Sequence, residues 1–231
     1  MKHLPLPAVR KPALIARPHA AFGLLLAAVA LALAVWMLLP PAQAFALLAE
    51  GAPIELGTAA LYFLLVPAVW AARQPRDETR VLVLLSVAFL VFGARELDLH
   101  KAWTGMSVLK VSFYLHGAPL HQKLVAAPLA LGAVATLGYL LLRFWRPVLR
   151  RAVRRDPVAL TIACFCFTMA VSKVFDRMVN IAIDDFGMSV PVTVDVLVSA
   201  LEEIMELSLP LMALLGLAQH RLQPGAGPSF R

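Results

Sequence analysis

Apolar residues gather along this chain in six blocks of about 20 residues, the length an α-helix needs to cross the ~30 Å hydrocarbon core of a bilayer. The blocks cover residues 20–39, 54–72, 81–100, 124–142, 158–177 and 194–217. They predict an all-α, polytopic membrane bundle. A basic tail (1–19) precedes a six-helix transmembrane domain (20–222), and a short flexible tail (223–231) follows it. Pro67, Gly93, Pro128 and Pro210 fall inside spans, where neighbouring helices can satisfy the backbone groups they free.

Composition agrees with this reading. The chain of 231 residues is 61% hydrophobic and 15% charged, more apolar than the ~45–50% of a soluble domain. Orientation follows from the short connections. Lys2, Arg10, Lys11 and Arg17 precede the first block, Arg73, Arg76 and Arg80 follow the second, six arginines occupy the connection at 143–155, and Arg221 and Arg231 close the chain. Fifteen of 21 basic residues thus share one side, which the positive-inside rule makes cytoplasmic, and both termini go with them. Of the 14 acids only Asp77, Glu78 and Asp156 lie on that side. The net charge of +7 therefore reports topology and gives no reason to expect nucleic acid as a partner. The expected location is a bacterial inner membrane, with membrane lipid as the partner.

Two features near the first and fifth blocks are read conservatively. Ala42-Gln43-Ala44 has the form of a signal-peptidase site, but the apolar run before it, at about 20 residues, exceeds the ~7–15 of a signal, so it is expected to remain as a helix. Cys164 and Cys166, two apart on one helix, point to different faces and are expected to be small core residues rather than a disulfide.

The third and fifth blocks share a plan: fourteen apolar or small residues, then a polar run, Arg95-Glu96-Leu97-Asp98-Leu99-His100-Lys101 in one and Ser172-Lys173-Val174-Phe175-Asp176-Arg177 in the other. Fourteen residues climb ~21 Å, so both polar runs begin in the outer third. Glu202, Glu203 and Glu206 descend to meet them from the outer side, at ~12–18 Å. Glu50 and Glu55 open the second block and His121, Gln122 and Lys123 the fourth. The inner halves hold scattered uncharged groups, among them Tyr62, Thr136, Tyr139, Thr161, Thr168 and Ser208. Because an ion path leaves strongly polar residues along its length, this distribution predicts a blind pocket open to the outer side. Residues 101–123, with Trp103, Tyr114 and His116, are too short to cross and are expected to lie at the interface as a cap.

Charges in hydrocarbon are costly and cluster where they function. Glu96 and His100 are four apart, as are Glu202 and Glu206, which puts each pair on one helical face. Carboxylate and imidazole together are donors for Zn, Mn or Fe, so Glu96, His100, Glu202 and Glu206 are the candidate ligands of one divalent metal ion. Together with Asp176 they are also the candidate catalytic acids and bases. Lys101, Lys173, Arg177, Asn180 and Glu55 are the candidate substrate-binding groups, the cations serving an anionic head group. The alternative is an ion-pair network in which Arg95, Lys173 and Arg177 neutralise the carboxylates without a metal. Ser172, one turn below Asp176, is a nucleophile only if a base lies within reach.

At Glu50…Glu55-x-x-Thr58, Arg95-Glu96-x-Asp98-x-His100-Lys101 and Glu202-Glu203-x-x-Glu206 the chain resembles a group of bacterial polytopic inner-membrane proteins without an assigned activity. It is also faintly similar to ceramidase-type intramembrane hydrolases, in which Ser, Asp and His residues within the helices assemble a zinc site. Where those end in His-x-x-x-His, this chain carries Glu-Glu-x-x-Glu. The expectation is a metal-assisted hydrolase or transferase acting on a lipid-type substrate. A proton- or ion-coupled secondary transporter, or a membrane assembly factor without catalysis, stands as the alternative.

Overall fold

A computed structural model of the chain describes residues 14–49, 51–102, 104–105, 108, 111–115 and 118–223, with backbone only at 100, 111 and 112. Glu50, Trp103, Lys110, His116, the His100 side chain and most of both tails lie outside the described residues. Every regular element described is helical: a 3-10 turn at Leu14–Ala16, then α1 (Ala20–Leu38), α2 (Pro41–Leu48), α3 (Pro53–Ala71), α4 (Thr79–Glu96), α5 (Leu99–Ala102), α6 (Val111–Leu115), α7 (Leu120–Val153), α8 (Pro157–Asp184) and α9 (Val192–Leu222).

Four helical stretches are long and apolar enough to cross a membrane: Ala20–Leu38, Pro41–Ala71, Leu120–Val153 and Pro157–Asp184. Large apolar side chains point outward from the bundle, including Leu26, Met37, Leu64, Leu129, Leu142 and Phe167. Apolar surface on this scale marks a face that meets lipid or protein rather than water. The other two long helices, α4 and α9, are more polar because they carry Arg95 and Glu96, and Glu202, Glu203 and Glu206.

α9 is the axis of the bundle. It packs on α1, α2, α3 and α8, while α7 and α4 close the far side by packing on α8 and α3. Ala28 and Ala32 of α1, Ala44 of α2 and Ala200 of α9 meet in one buried cluster. Side chains this small let helix backbones approach closely, as membrane helices do. A second cluster joins Tyr62, Leu65 and Val69 of α3, Leu82 and Phe89 of α4, and Leu209 of α9. The α8–α9 seam is polar: Thr161 Oγ1 donates to Gln219 Oε1 at 2.7 Å, and Thr168 Oγ1 reaches Met212 Sδ at 3.9 Å. Thr161, Thr168 and Ser172 share one face of α8, so groups that look scattered in the sequence line a single seam.

The two ends of the bundle differ in charge. At one end His220 meets Asp77 at 3.0 Å, Arg143 meets Glu78 at 2.7 Å and Arg151 meets Asp156 at 2.9 Å. Gln219 Nε2 donates to the Ile15 carbonyl at 3.0 Å, so Leu14–Ala16 and the end of α9 lie together there. At the other end Trp36 Nε1 donates to the Thr193 carbonyl, tying the end of α1 to the start of α9.

Two expectations are corrected, and one helix is added to those the blocks predict. The third block is not one helix to residue 100: α4 ends at Glu96, Asp98 adopts φ 50°, and α5 starts afresh at Leu99. Glu96 and His100 therefore do not share one helical face. Aspartate is one of the few residues that tolerates the left-handed region, which is what permits the break. The arginines at 143–155 are not a loop, since most extend α7 to Val153; arginine is a good helix former and needs no burial. Finally, Ala42-Gln43-Ala44 lies within α2, a helix opened by Pro41 that the block pattern does not separate.

Candidate functional site

Three long helices place ionic groups at one level. Arg95 lies sixteen residues above the start of α4, Lys173 sixteen above the start of α8, and Glu206 sixteen before the end of α9. At 1.5 Å per residue each is ~24 Å from the basic end. Glu206, 6% exposed, is the centre of the group. Its Oε1 meets Lys173 Nζ at 2.6 Å and lies 3.4 Å from the Ser172 hydroxyl. Its Oε2 meets Arg95 Nη2 at 3.2 Å. Arg95 also reaches Glu96 at 3.5 Å, and Lys173 reaches Asp176 at 3.3 Å. One carboxylate thus ties α4, α8 and α9 together, with two further acids on the outer side of its cations.

A small hollow adjoins the cluster, lined by Tyr62, Phe92, Arg95, Glu96, Met169, Lys173, Glu206 and Leu209, with a volume of ≈ 10 Å³, room for about one water molecule. Its floor is aromatic. The Tyr62 and Phe92 ring centroids are 5.4 Å apart, and Phe92 is 6.5 Å from Phe165. Tyr62 starts lower than Arg95 but leans up, because a helical side chain points toward its own N-terminus and α3 runs down from the acidic end. Beneath it Leu65, Val69, Leu82 and Leu209 close the bundle with apolar packing.

The structure brings Glu96, Asp176, Lys173 and Glu206 together. Glu202 lies one turn before Glu206 on the same face of α9. It is half-buried and, like Glu203, makes no ion pair or hydrogen bond among the described residues. Other candidates are elsewhere. Lys101 pairs with Asp98 at 2.8 Å. Arg177 and Asn180 are exposed, and the Asn180 amide donates to the Asp176 carbonyl at 3.2 Å. Glu55 accepts from the Gly51 backbone N–H, capping the start of α3. His121 is exposed at the start of α7. The Ser172 hydroxyl is fully buried and also lies 3.1 Å from the Met169 carbonyl, so it faces the seam, not a substrate.

Among the described residues no group of three His, Cys, Asp or Glu side chains is arranged to hold a metal ion. Between Glu96 and Glu206 stands a guanidinium, and between Glu206 and Asp176 an ammonium. Tyr62 is the polar lining residue that the motif reasoning did not place in the site, whereas Arg95 entered it only as a partner in the alternative ion-pair network. Tyr62 had a signal, being the chief polar group in the inner half of its span. Comparison with protein-family models, curated proteins and solved structures gives no match to this chain.

Proposed function

We propose that this is a six-span protein of a bacterial cytoplasmic membrane, both ends cytoplasmic, whose outward-facing hollow binds a lipid-type substrate and performs hydrolysis or group transfer at its head group. The observation that carries the reading is the one-sided hollow beside Glu206, charged at its rim and closed below by apolar and aromatic packing. A closed floor suits a substrate that enters and leaves on one side. The excess of arginines at the opposite end, all but Arg95 and Arg177 among the described ones, supports the orientation through the positive-inside rule.

In this reading Glu206 holds Arg95 and Lys173 in place, and those cations stabilise negative charge developing on the substrate. Glu202, unpaired, takes the proton from the attacking water or hydroxyl, and Glu96 returns one to the leaving group. A divalent ion at Glu96, Glu202, Glu206 and His100 remains part of the proposal only if Arg95 withdraws, because a guanidinium and a metal compete for the same oxygens. The reaction class extends the faint ceramidase-type resemblance without its histidine pair. A second reading, a proton-coupled carrier, draws on the polar α8–α9 seam below Glu206.

The test is the lipid extract of a deletion strain compared by mass spectrometry with strains carrying the wild-type chain or Glu202→Gln. Deletion is expected to change a lipid class and the wild type to restore it. Glu202→Gln should lose on the order of 100-fold or more in rate, the contribution of a positioned acid or base. An unchanged lipid profile on deletion, or full restoration by Glu202→Gln, would overturn the proposal. Proton movement in proteoliposomes without lipid turnover would favour the carrier instead.

A further inference from the structure

Charge does not balance at the basic end of the bundle. Eleven described arginines lie there against three acids, Asp77, Glu78 and Asp156, and neither tail holds another acid. Each of the three acids is already engaged: Asp77 with His220, Glu78 with Arg143 and Asp156 with Arg151. Arg146, Arg150 and Arg154 are exposed and make no ion pair or hydrogen bond among the described residues.

Those three form a row. They follow one another at four-residue intervals along the last turns of α7, with Arg154 as its C-cap, and so share one face over ~12 Å. Leu142, Leu149 and Val153 make a second stripe about 80° round the same helix, and they are 74%, 54% and 85% exposed. Water suits the first stripe and hydrocarbon the second. Trp145 is exposed on the same side, and the Arg146 guanidinium stands 5.1 Å over its ring. Tryptophan gathers at the head-group level of a bilayer, where one surface meets both surroundings.

We infer that this face of α7 is a docking site for anionic phospholipid, the phosphates on Arg146, Arg150 and Arg154 and the acyl chains along Leu142, Leu149 and Val153. Guanidinium groups bind phosphate through paired N–H donors, and no described acid competes for these three. The ligand must carry net negative charge, because a zwitterionic head group leaves the excess of arginines uncompensated. The apolar stripe selects a lipid over a free phosphate, since an acyl chain covers it and a phosphate ion does not. The site lies at the end of the bundle away from Glu206 and is independent of the chemistry proposed there.

The test uses the full chain in nanodiscs of equimolar phosphatidylglycerol and phosphatidylcholine, with retained lipid read by native mass spectrometry. The wild-type chain should retain phosphatidylglycerol on the order of tenfold over phosphatidylcholine. Arg150→Gln should lower that preference about fivefold, the contribution of one arginine beside an anionic leaflet, and Arg146→Gln, Arg150→Gln and Arg154→Gln together should remove it. A control chain with Arg17→Gln, Arg73→Gln and Arg221→Gln loses the same charge at the same end and should keep the preference within about twofold. All six positions are exposed and glutamine is a good helix former, so both chains keep the fold. Millimolar inorganic phosphate should not displace the lipid. Equal retention of the two lipids, displacement by inorganic phosphate, or an equal loss in the control chain would overturn the proposal, the last by assigning the preference to the net charge of this end alone.

Discussion

Glu206 shows why single residues in this bundle carry unequal weight. Its two oxygens meet cations from two other helices, so removing it leaves Arg95 and Lys173 short of a partner at once. Breaking a buried ion pair from one side costs ~3–5 kcal/mol, and the half-exposed state of the two cations puts this case near the lower end. Glu206→Leu is therefore expected to destabilise the protein by about 3 kcal/mol in thermal unfolding in detergent. Glu203→Leu, which removes a carboxylate with no such partners, should cost far less; equal losses would refute the central place given to Glu206. The sequence made the carboxylates legible, because charges inside apolar blocks stand out on composition alone. It did not show which of them meet. Glu202 and Glu206 share a face of one helix, yet only Glu206 is paired, since pairing depends on where α4 and α8 end up.

At the scale of elements, the long helices were legible and their ends were not. The block at 81–100 is apolar for fourteen residues, but the break after Glu96 depends on the φ of Asp98, which no periodicity records. The extension of α7 through its arginines was hidden because a hydropathy block ends where apolar residues do, whereas a helix continues as long as its backbone bonds do. The start of α8 is the clearest helix signal in the chain. Asp156 Oδ1 accepts the Ala159 backbone N–H at 2.9 Å, Oδ2 meets Arg151, and Pro157 occupies the first helical position. Asp156→Ala should lose about 1 kcal/mol in the same unfolding measurement, the usual worth of an N-cap. Asp156→Asn keeps the capping oxygen and should lose about half a kcal/mol, the scale of an ion pair near the surface. If Asn were as harmful as Ala, the ion pair and not the cap would hold the start of α8.

Taken as a whole, the molecule is polarised along its axis. Among the described residues most arginines and three acids, Asp77, Glu78 and Asp156, occupy one end, while Arg95 and Arg177 lie with the other described carboxylates toward the opposite end, where the hollow is. That polarity was visible from charge counts, because it follows from chain order and the alternation of spans. The closed floor was not, because Tyr62, Phe89, Phe92 and Phe165 come from three helices and meet only in the folded bundle. The central claim is that the hollow opens away from the cytosol. It is tested most directly by labelling intact cells with a membrane-impermeant maleimide, in a chain carrying Cys164→Ala and Cys166→Ala so that only introduced thiols react. Asn180→Cys and Glu203→Cys should label without permeabilisation, and Arg154→Cys only after it. The reverse pattern, or labelling of all three positions from one side, would contradict the account.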